Sequence, residues 1–432
     1  MSPLTRRQLL MGTAVTAAGA AAGRAAAASR AVRNVRTILP NPNSSGIDHI
    51  VVVCMENRSF DHYLGWLPGA EGRQAGLSYP DQKGVLHPTH HLTDRQGCGF
   101  NDPDHSYPGG RIQFNNGKCD GFRRGPGYDD FALGYYTGAD LPLYGTFVRQ
   151  TTVFDHWFCS LLGPTYPNRY YTHSARTQQL DNSTVQNMMP TIWDRLAAAG
   201  VPANYYFNDL PFLALWGEKY IPISRPFETF LAQAASGTLP SFSYIDPFFL
   251  GEDQGGSNDD HPHADILRGQ AFVSLIANAV VNSPLWSKTA LVIMYDEWGG
   301  FFDHVPPPRL PDDPPTNDFD HSQAGFRVPA FVLSPYAARG AINKAVYDHT
   351  SMLKFVEWRW GLQPLAPRDA AARNLALALD FSTPNFTPPT IPLVTDPGPH
   401  ICGAPGVGMA LQESQWLPLR DYVERSGWKH VL

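Results

Sequence analysis

The sequence predicts an α/β protein built on a mostly parallel sheet covered by helices on both faces, and three observations predict it. Strand-like and helix-like segments alternate through the body of the chain, the arrangement a parallel sheet requires because each connection crosses back over the sheet. Residues 47–55 (Ile-Asp-His-Ile-Val-Val-Val-Cys-Met) form a β-branched run, as expected of a strand buried on both faces. Residues 266–282 have the apolar spacing of an amphipathic helix and lead into a second strand-like run at 290–295.

The elements follow in order. After the 47–55 strand, residues 68–128 are rich in Gly, Asn, Asp and Pro with little periodicity; an interior loop region of that length points to function. Residues 143–150 read as helix and 151–154 as a short strand. Helices are expected over 191–199 and 227–235, and strands over 204–207 and 242–245. The 266–282 helix precedes strands at 290–295 and 328–333, and 351–360 closes the pattern as a helix. No internal repeat or linker divides residues 29–432, which read as one catalytic domain. Its tail, 384–432, reads as an extended strap and a short helix over 411–425, too small to be a module of its own.

Composition narrows the function. Among 432 residues, 33 Lys+Arg face 39 Asp+Glu, a net charge of −6, which argues against a nucleic-acid partner because phosphate contacts need a basic field. Hydrophobic residues at 43% supply a large core and exclude wholesale disorder. Residues 1–28 contain no acid, place Arg6-Arg7 before an Ala-rich apolar run, and end at Ala26-Ala27-Ala28. That pattern resembles a twin-arginine export signal cleaved after Ala28, and the run is too short for a membrane anchor. Loss of Arg6, Arg7 and Arg24 would take the net charge from −6 to −9. The expected location is the periplasm, the cell wall or the medium. Of five cysteines, Cys98 and Cys119 lie in polar loop sequence and are the expected disulfide, whereas Cys54 and Cys159 lie in apolar runs as buried thiols.

In an α/β sheet, ligands gather at the carboxyl ends of the strands. Glu56-Asn57 follows the first strand and Asp296-Glu297 follows the 290–295 strand. Two such dipeptides can converge on one cation that offsets their mutual repulsion; the alternative is that each acid caps the turn beginning there. His105, His261 and His304 have oxygen-rich neighbours able to fix a tautomer, as metal ligands and general acids require; an exposed loop histidine is the alternative for His105. Thr165, after Gly163-Pro164, stands near a helix start, where the dipole favours phosphate. Its hydroxyl is a candidate nucleophile, with an ordinary N-cap as the alternative.

These motifs resemble the phosphoesterase family of bacterial phospholipases C, plant non-specific phospholipases C and related acid phosphatases, a branch of the alkaline-phosphatase-like superfamily. The matching pieces are Glu56-Asn57-Arg58-Ser59-Phe60-Asp61-His62-Tyr63, Gly163-Pro164-Thr165 with Pro167-Asn168-Arg169, Asp259-Asp260-His261-Pro262, Asp296-Glu297 with Gly299-Gly300-Phe301-Phe302-Asp303-His304-Val305-Pro306, and Val328-Pro329 through Ser334-Pro335-Tyr336. The resemblance implies a three-layer α/β/α sandwich and metal-assisted phosphoryl transfer. Glu56, Asn57, Asp296 and Glu297 would hold a divalent cation, with calcium, manganese, iron and zinc all open. Thr165 would form a phosphothreonine, and His105, His261 and His304 would contact phosphate and supply a general acid. Asn168 and Arg169 are expected at the phosphate or substrate. Trp298 stands where many relatives have His or Asn, and is expected to face an apolar or cationic substrate group. Threonine rather than serine as nucleophile resembles the phospholipase branch. The expected partner is therefore a phospholipid or small phosphate ester, with transient membrane-surface contact. An acid phosphatase, or a non-catalytic secreted binding protein on the same fold, is the alternative.

Overall fold

The apolar run expected over 47–55 folds as strand β1, His49–Met55, buried from Ile50 onward. The structure, a computed structural model, describes residues 39–314, 319–402 and 416–431. The expected export signal and residues 403–415 of the tail lie outside the described residues. The sheet continues with β2 (Thr152–Phe154), β3 (Ala203–Phe207), β4 (Ser224–Pro226), β5 (Phe242–Ile245), β6 (Thr289–Tyr295), β7 (Ala330–Leu333) and β8 (Ala341–Asn343). The eight strands are ordered β8-β2-β7-β6-β1-β5-β3-β4, with β1 in the interior. Every residue of β5, β6 and β7 is buried, each fully buried aliphatic side chain contributing about 1.5–3 kcal/mol.

Among the described strands of this sheet, all but one run parallel. β7 is antiparallel to both β6 and β2, in keeping with the mostly parallel sheet expected from the sequence. A chain leaving β6 at its carboxyl end and entering β7 from that same end needs no crossover, so the long 296–329 connection begins and ends at the carboxyl edge of the sheet.

The principal helices are α1 (Phe60–Leu64), α2 (Tyr107–Phe114), α3 (Thr165–Ser174), α4 (Ile192–Ala198), α5 (Phe227–Ser236), α6 (Ile266–Val281), α7 (His349–Trp360) and α8 (Leu417–Arg425). They flank the sheet in two groups, with α3 packed on α4 and α7, and α5 packed on α6. Caps set their limits: the Asp265 carboxylate accepts the Leu267 N–H at the start of α6, and Gly361, at φ 66°, ends α7.

The 68–128 region holds more structure than its sequence suggests. It contains a small hairpin (Ser78–Pro80 with Leu86–Pro88) and helix α2, capped by Ser106. Gly109-Gly110 hides α2 from a propensity reading. Gly110 is needed for packing, because a Cβ there would come within 2.9 Å of Leu162 and 3.0 Å of Trp298.

The disulfide also differs from expectation. Cys98 pairs with Cys402, Cα to Cα 5.5 Å, and not with Cys119, which is a buried free thiol like Cys54 and Cys159. The tail runs back over the 94–100 loop: Gln96 Nε2 donates to the His400 carbonyl at 2.7 Å, and the Cys402 N–H donates to the Gln254 carbonyl at 2.9 Å. Burial raises the Cys119 thiol to about 12.

Candidate active site

Met55 and Tyr295 are register partners on β1 and β6, so Glu56 and Asp296 leave neighbouring parallel strands side by side. Asp246 leaves β5 on the other flank of β1. Arg169, reaching in from α3, joins all three acids in the interior. Its Nη2 lies 3.1 Å from Glu56 Oε1, its Nη1 2.7 Å from Asp246 Oδ1 and its Nε 3.0 Å from Asp296 Oδ2. All four side chains are fully buried. Arg169 is thus committed to carboxylates, which corrects its expected role at phosphate: three acids at adjoining strand ends need a cation beneath them.

The turn-capping alternative for the acid dipeptides is partly realised. Asp296 Oδ1 accepts the N–H groups of Asn57 at 3.2 Å and Glu297 at 2.7 Å, and Glu297 Oε2 accepts from Gly299 N–H at 2.6 Å. Asn57 adopts φ 57°, and a Cβ on Gly299 would come within 2.2 Å of the Asn57 carbonyl oxygen. Capping nevertheless leaves Glu56 Oε2, Asn57 Oδ1 and Glu297 Oε1 buried without a hydrogen bond, while Glu56 Oε1 has its ion pair with Arg169. Such atoms cost about 1–3 kcal/mol each when nothing meets them, and more when charged. Burial, then the Asp296 charge, pushes the Glu56 and Glu297 carboxyls well above their ordinary range. Burial also raises Asp296 to about 6 against the pull of Arg169. Hard oxygen donors of this kind fit a divalent cation, which would reverse those shifts.

Two histidines join this cluster. His105 Nδ1–H donates to the Pro103 carbonyl at 2.9 Å, leaving Nε2 3.4 Å from Asn57 Nδ2 and 3.8 Å from Glu297 Oε1. His261 Nδ1–H donates to the Pro262 carbonyl at 2.5 Å, and its Nε2 is buried without a hydrogen bond. The two rings meet edge to face at 5.6 Å. The carbonyl contacts fix the tautomer, so both imidazoles turn an Nε2 lone pair inward. Burial holds both below the ordinary histidine value, His261 well below.

Two acids outside the expected set enter here. Ligand atoms of Glu56, Glu252 and His261 lie within 4.8 Å of one another, as do those of Asp102, His105 and His261. Glu252 is buried and accepts a hydrogen bond from Trp416 Nε1 at 2.7 Å. Neither acid directly follows a strand; for Asp102 the Asp102-Pro103-Asp104-His105 run was the available signal, and Glu252 carries none.

His304 belongs to a different cluster. Its Nδ1 lies 2.5 Å from Asp61 Oδ2, and Asp61 and Asp303 together hold the buried Arg327 at 3.1 and 3.0 Å. The sequence placed His304 with the other two histidines; the fold gives it to α1 and the arginine before β7.

Thr165 is the first residue of α3, preceded by Pro164 as N-cap, and its buried Oγ makes no hydrogen bond. The N-cap alternative therefore fails. Residues four apart share a helix face, so Thr165 stands one turn from Arg169, the residue paired to Glu56 and Asp296. Asn168 fixes the turn before the helix: its Oδ1 accepts the Leu161 N–H at 2.8 Å, and its Nδ2 donates to the carbonyls of Gly163 at 2.8 Å, Leu161 at 3.1 Å and Pro164 at 3.1 Å. That commitment corrects the expected contact of Asn168 with phosphate. Trp298 is likewise fully buried, donating to Gln113 Oε1 at 2.7 Å and packing on Phe326. Its ring fills the core and its one donor is satisfied, so it is not the substrate-facing surface the sequence suggested.

A family model described as the Phosphoesterase family matches residues 47–363. The chain belongs to the phosphoesterase family. As a member it is a phosphoric ester hydrolase. Among its relatives, non-specific phospholipase C1 of Arabidopsis thaliana is 31% identical, with 77% of this chain and 71% of the relative covered. Phospholipase C A of Mycobacterium tuberculosis is 30% identical, with 90% and 88% covered. A solved structure, the phosphonate monoester hydrolase of Agrobacterium radiobacter, aligns over 77% of each chain at 10% identity and a TM-score of 0.38.

Proposed function

We propose that this phosphoesterase is an exported, metal-dependent phospholipase C that cleaves the phosphodiester of phospholipids such as phosphatidylcholine, releasing diacylglycerol and a phosphorylated head group. The observation that carries the reading is Thr165: a buried, unbonded hydroxyl at a helix N-terminus, one turn from the arginine paired to Glu56 and Asp296. The names of the relatives support the diester substrate.

Glu56, Asn57, Asp296 and Glu297 would hold a divalent cation, which when bound offsets negative charge on the phosphoryl oxygens. The positive end of α3 favours the incoming phosphate. Thr165 Oγ attacks phosphorus and the bond from phosphorus to the glycerol oxygen breaks. The hydroxyl proton passes to a neutral imidazole of the His105–His261 pair, and that imidazolium protonates the departing diacylglycerol oxygen. Water then cleaves the phosphothreonine, restoring the hydroxyl and freeing the phosphorylated head group. Residues 1–28 would direct export by the twin-arginine machinery, and the Cys98–Cys402 bridge suits an oxidising compartment. Access to a bilayer substrate requires transient membrane contact.

The test is turnover of phosphatidylcholine against a soluble aryl phosphate monoester, after chelation and after restoring calcium, manganese, iron or zinc. Head-group release from phosphatidylcholine is the expected outcome. Turnover of the monoester alone would make the protein an acid phosphatase, and turnover of neither with any metal would sink the enzymatic mechanism.

A further inference from the structure

The main chain at the end of β6 is held by a residue the mechanism does not use. His349, the first residue of α7, is fully buried, and its Nε2 lies 2.6 Å from the main-chain carbonyl oxygen of Asp296. Its other nitrogen, Nδ1, lies 3.2 Å from the indole Nε1 of Trp157. An indole nitrogen only donates, so Nδ1 accepts and the proton resides on Nε2. The hydrogen bond to Asp296 then has one possible sense, Nε2–H to carbonyl.

This chain joins the two halves of the site. Trp157 lies on the short strand Trp157–Phe158, which pairs with Tyr347–Asp348 just before α7 and leads within a few residues to Thr165. At the same helix start, Asp348 Oδ2 accepts from Ser160 Oγ at 3.4 Å and from Arg368 Nη1 at 3.2 Å. The Asp296 carboxylate is meanwhile fixed by Arg169, Asn57 N–H and Glu297 N–H. The Asp296 carbonyl thus has an anchor separate from those of its carboxylate, and that anchor is oriented by the strand that leads to Thr165.

We infer that His349 is a positioning residue for the Asp296-Glu297 dipeptide, oriented by Trp157, and that it keeps these acids in register with the turn carrying Thr165. The inference rests on the proposed role of that dipeptide as a cation holder. Groups that orient metal ligands typically change metal affinity by 10–100-fold when removed.

The experiment titrates calcium, manganese, ferrous iron and zinc calorimetrically, each in turn, into the full, chelator-stripped chain, with kcat and KM for a soluble phosphodiester measured alongside. His349→Ala should bind the cation about ten-fold or more weakly and lose kcat with KM little changed. His349→Gln, whose carboxamide N–H can reach the same carbonyl, should recover most of both. Trp157→Phe, which keeps the ring and loses the donor, should fall between and guards against misfolding of the alanine variant. Wild-type affinity and kcat in His349→Ala, or a loss that His349→Gln shares in full, would overturn the role of His349. Wild-type protein that takes up none of the four ions would instead bring down the metal reading, and the inference with it.

Discussion

Arg169 Nη2 lies 3.1 Å from Glu56 Oε1 in the interior of the protein, and the same guanidinium reaches Asp246 and Asp296. Removing one partner of a buried ion pair leaves uncompensated charge and costs about 3–5 kcal/mol. Arg169→Gln should therefore lower unfolding free energy by about that amount in urea titrations, and abolish turnover. If calcium or manganese fully restored the stability of the variant, the cation would be replacing the arginine and the two would not occupy separate places.

Thr165 has the opposite profile. Its Oγ has no hydrogen bond to lose, so Thr165→Ala should unfold within about 1 kcal/mol of wild type while turnover disappears. Thr165→Ser should retain turnover. Acid-quenched wild-type protein should carry a phosphate on the tryptic peptide containing Thr165; full activity in the alanine variant would remove this residue from the chemistry.

The Cys98–Cys402 bridge ties the tail to the segment carrying Glu252, through the Cys402 N–H to Gln254 contact, while Trp416 holds Glu252 itself. Peptide mapping without reductant should recover residues 98 and 402 as one cross-linked species. Cys98→Ser should cost about 2–5 kcal/mol of stability and weaken cation binding, whereas Cys119→Ser should leave the map intact.

Glu357, on α7, is 3% exposed, and burial followed by the neighbouring Asp369 carboxyl raises it from an ordinary 4.5 to about 10. An acid whose folded value is raised contributes its stability below its unfolded pKa and loses it as pH rises towards the folded value. Wild type should thus lose ground to Glu357→Gln progressively from about pH 5 to about pH 9, read as a widening gap in Tm. A gap that stays constant across that range would show that the carboxyl is already ionised in the fold.

Both acid dipeptides were legible because strands announce themselves locally: β-branched runs fixed β1 and β6, and the residues after them had to emerge at the carboxyl edge. Helix α6 was found to within a residue from its apolar period. Helix α2 was not, because its glycines answer to Leu162 and Trp298 rather than to helix propensity. The pairing of Cys98 with Cys402 spans 304 residues, a separation over which no local pattern carries information.

By itself the sequence determined the fold class, the strand ends bearing Glu56-Asn57 and Asp296-Glu297, and the threonine at the start of α3, since each follows from backbone periodicity and turn chemistry within a few residues. Only the tertiary structure decided that Arg169 serves the carboxylates, that His304 pairs with Asp61 away from His105 and His261, that Glu252 and Asp102 approach the cluster, and that β7 runs antiparallel. Charge compensation and hydrogen-bond satisfaction in a buried interior depend on which side chains share a few ångströms, and that is a property of packing between distant segments.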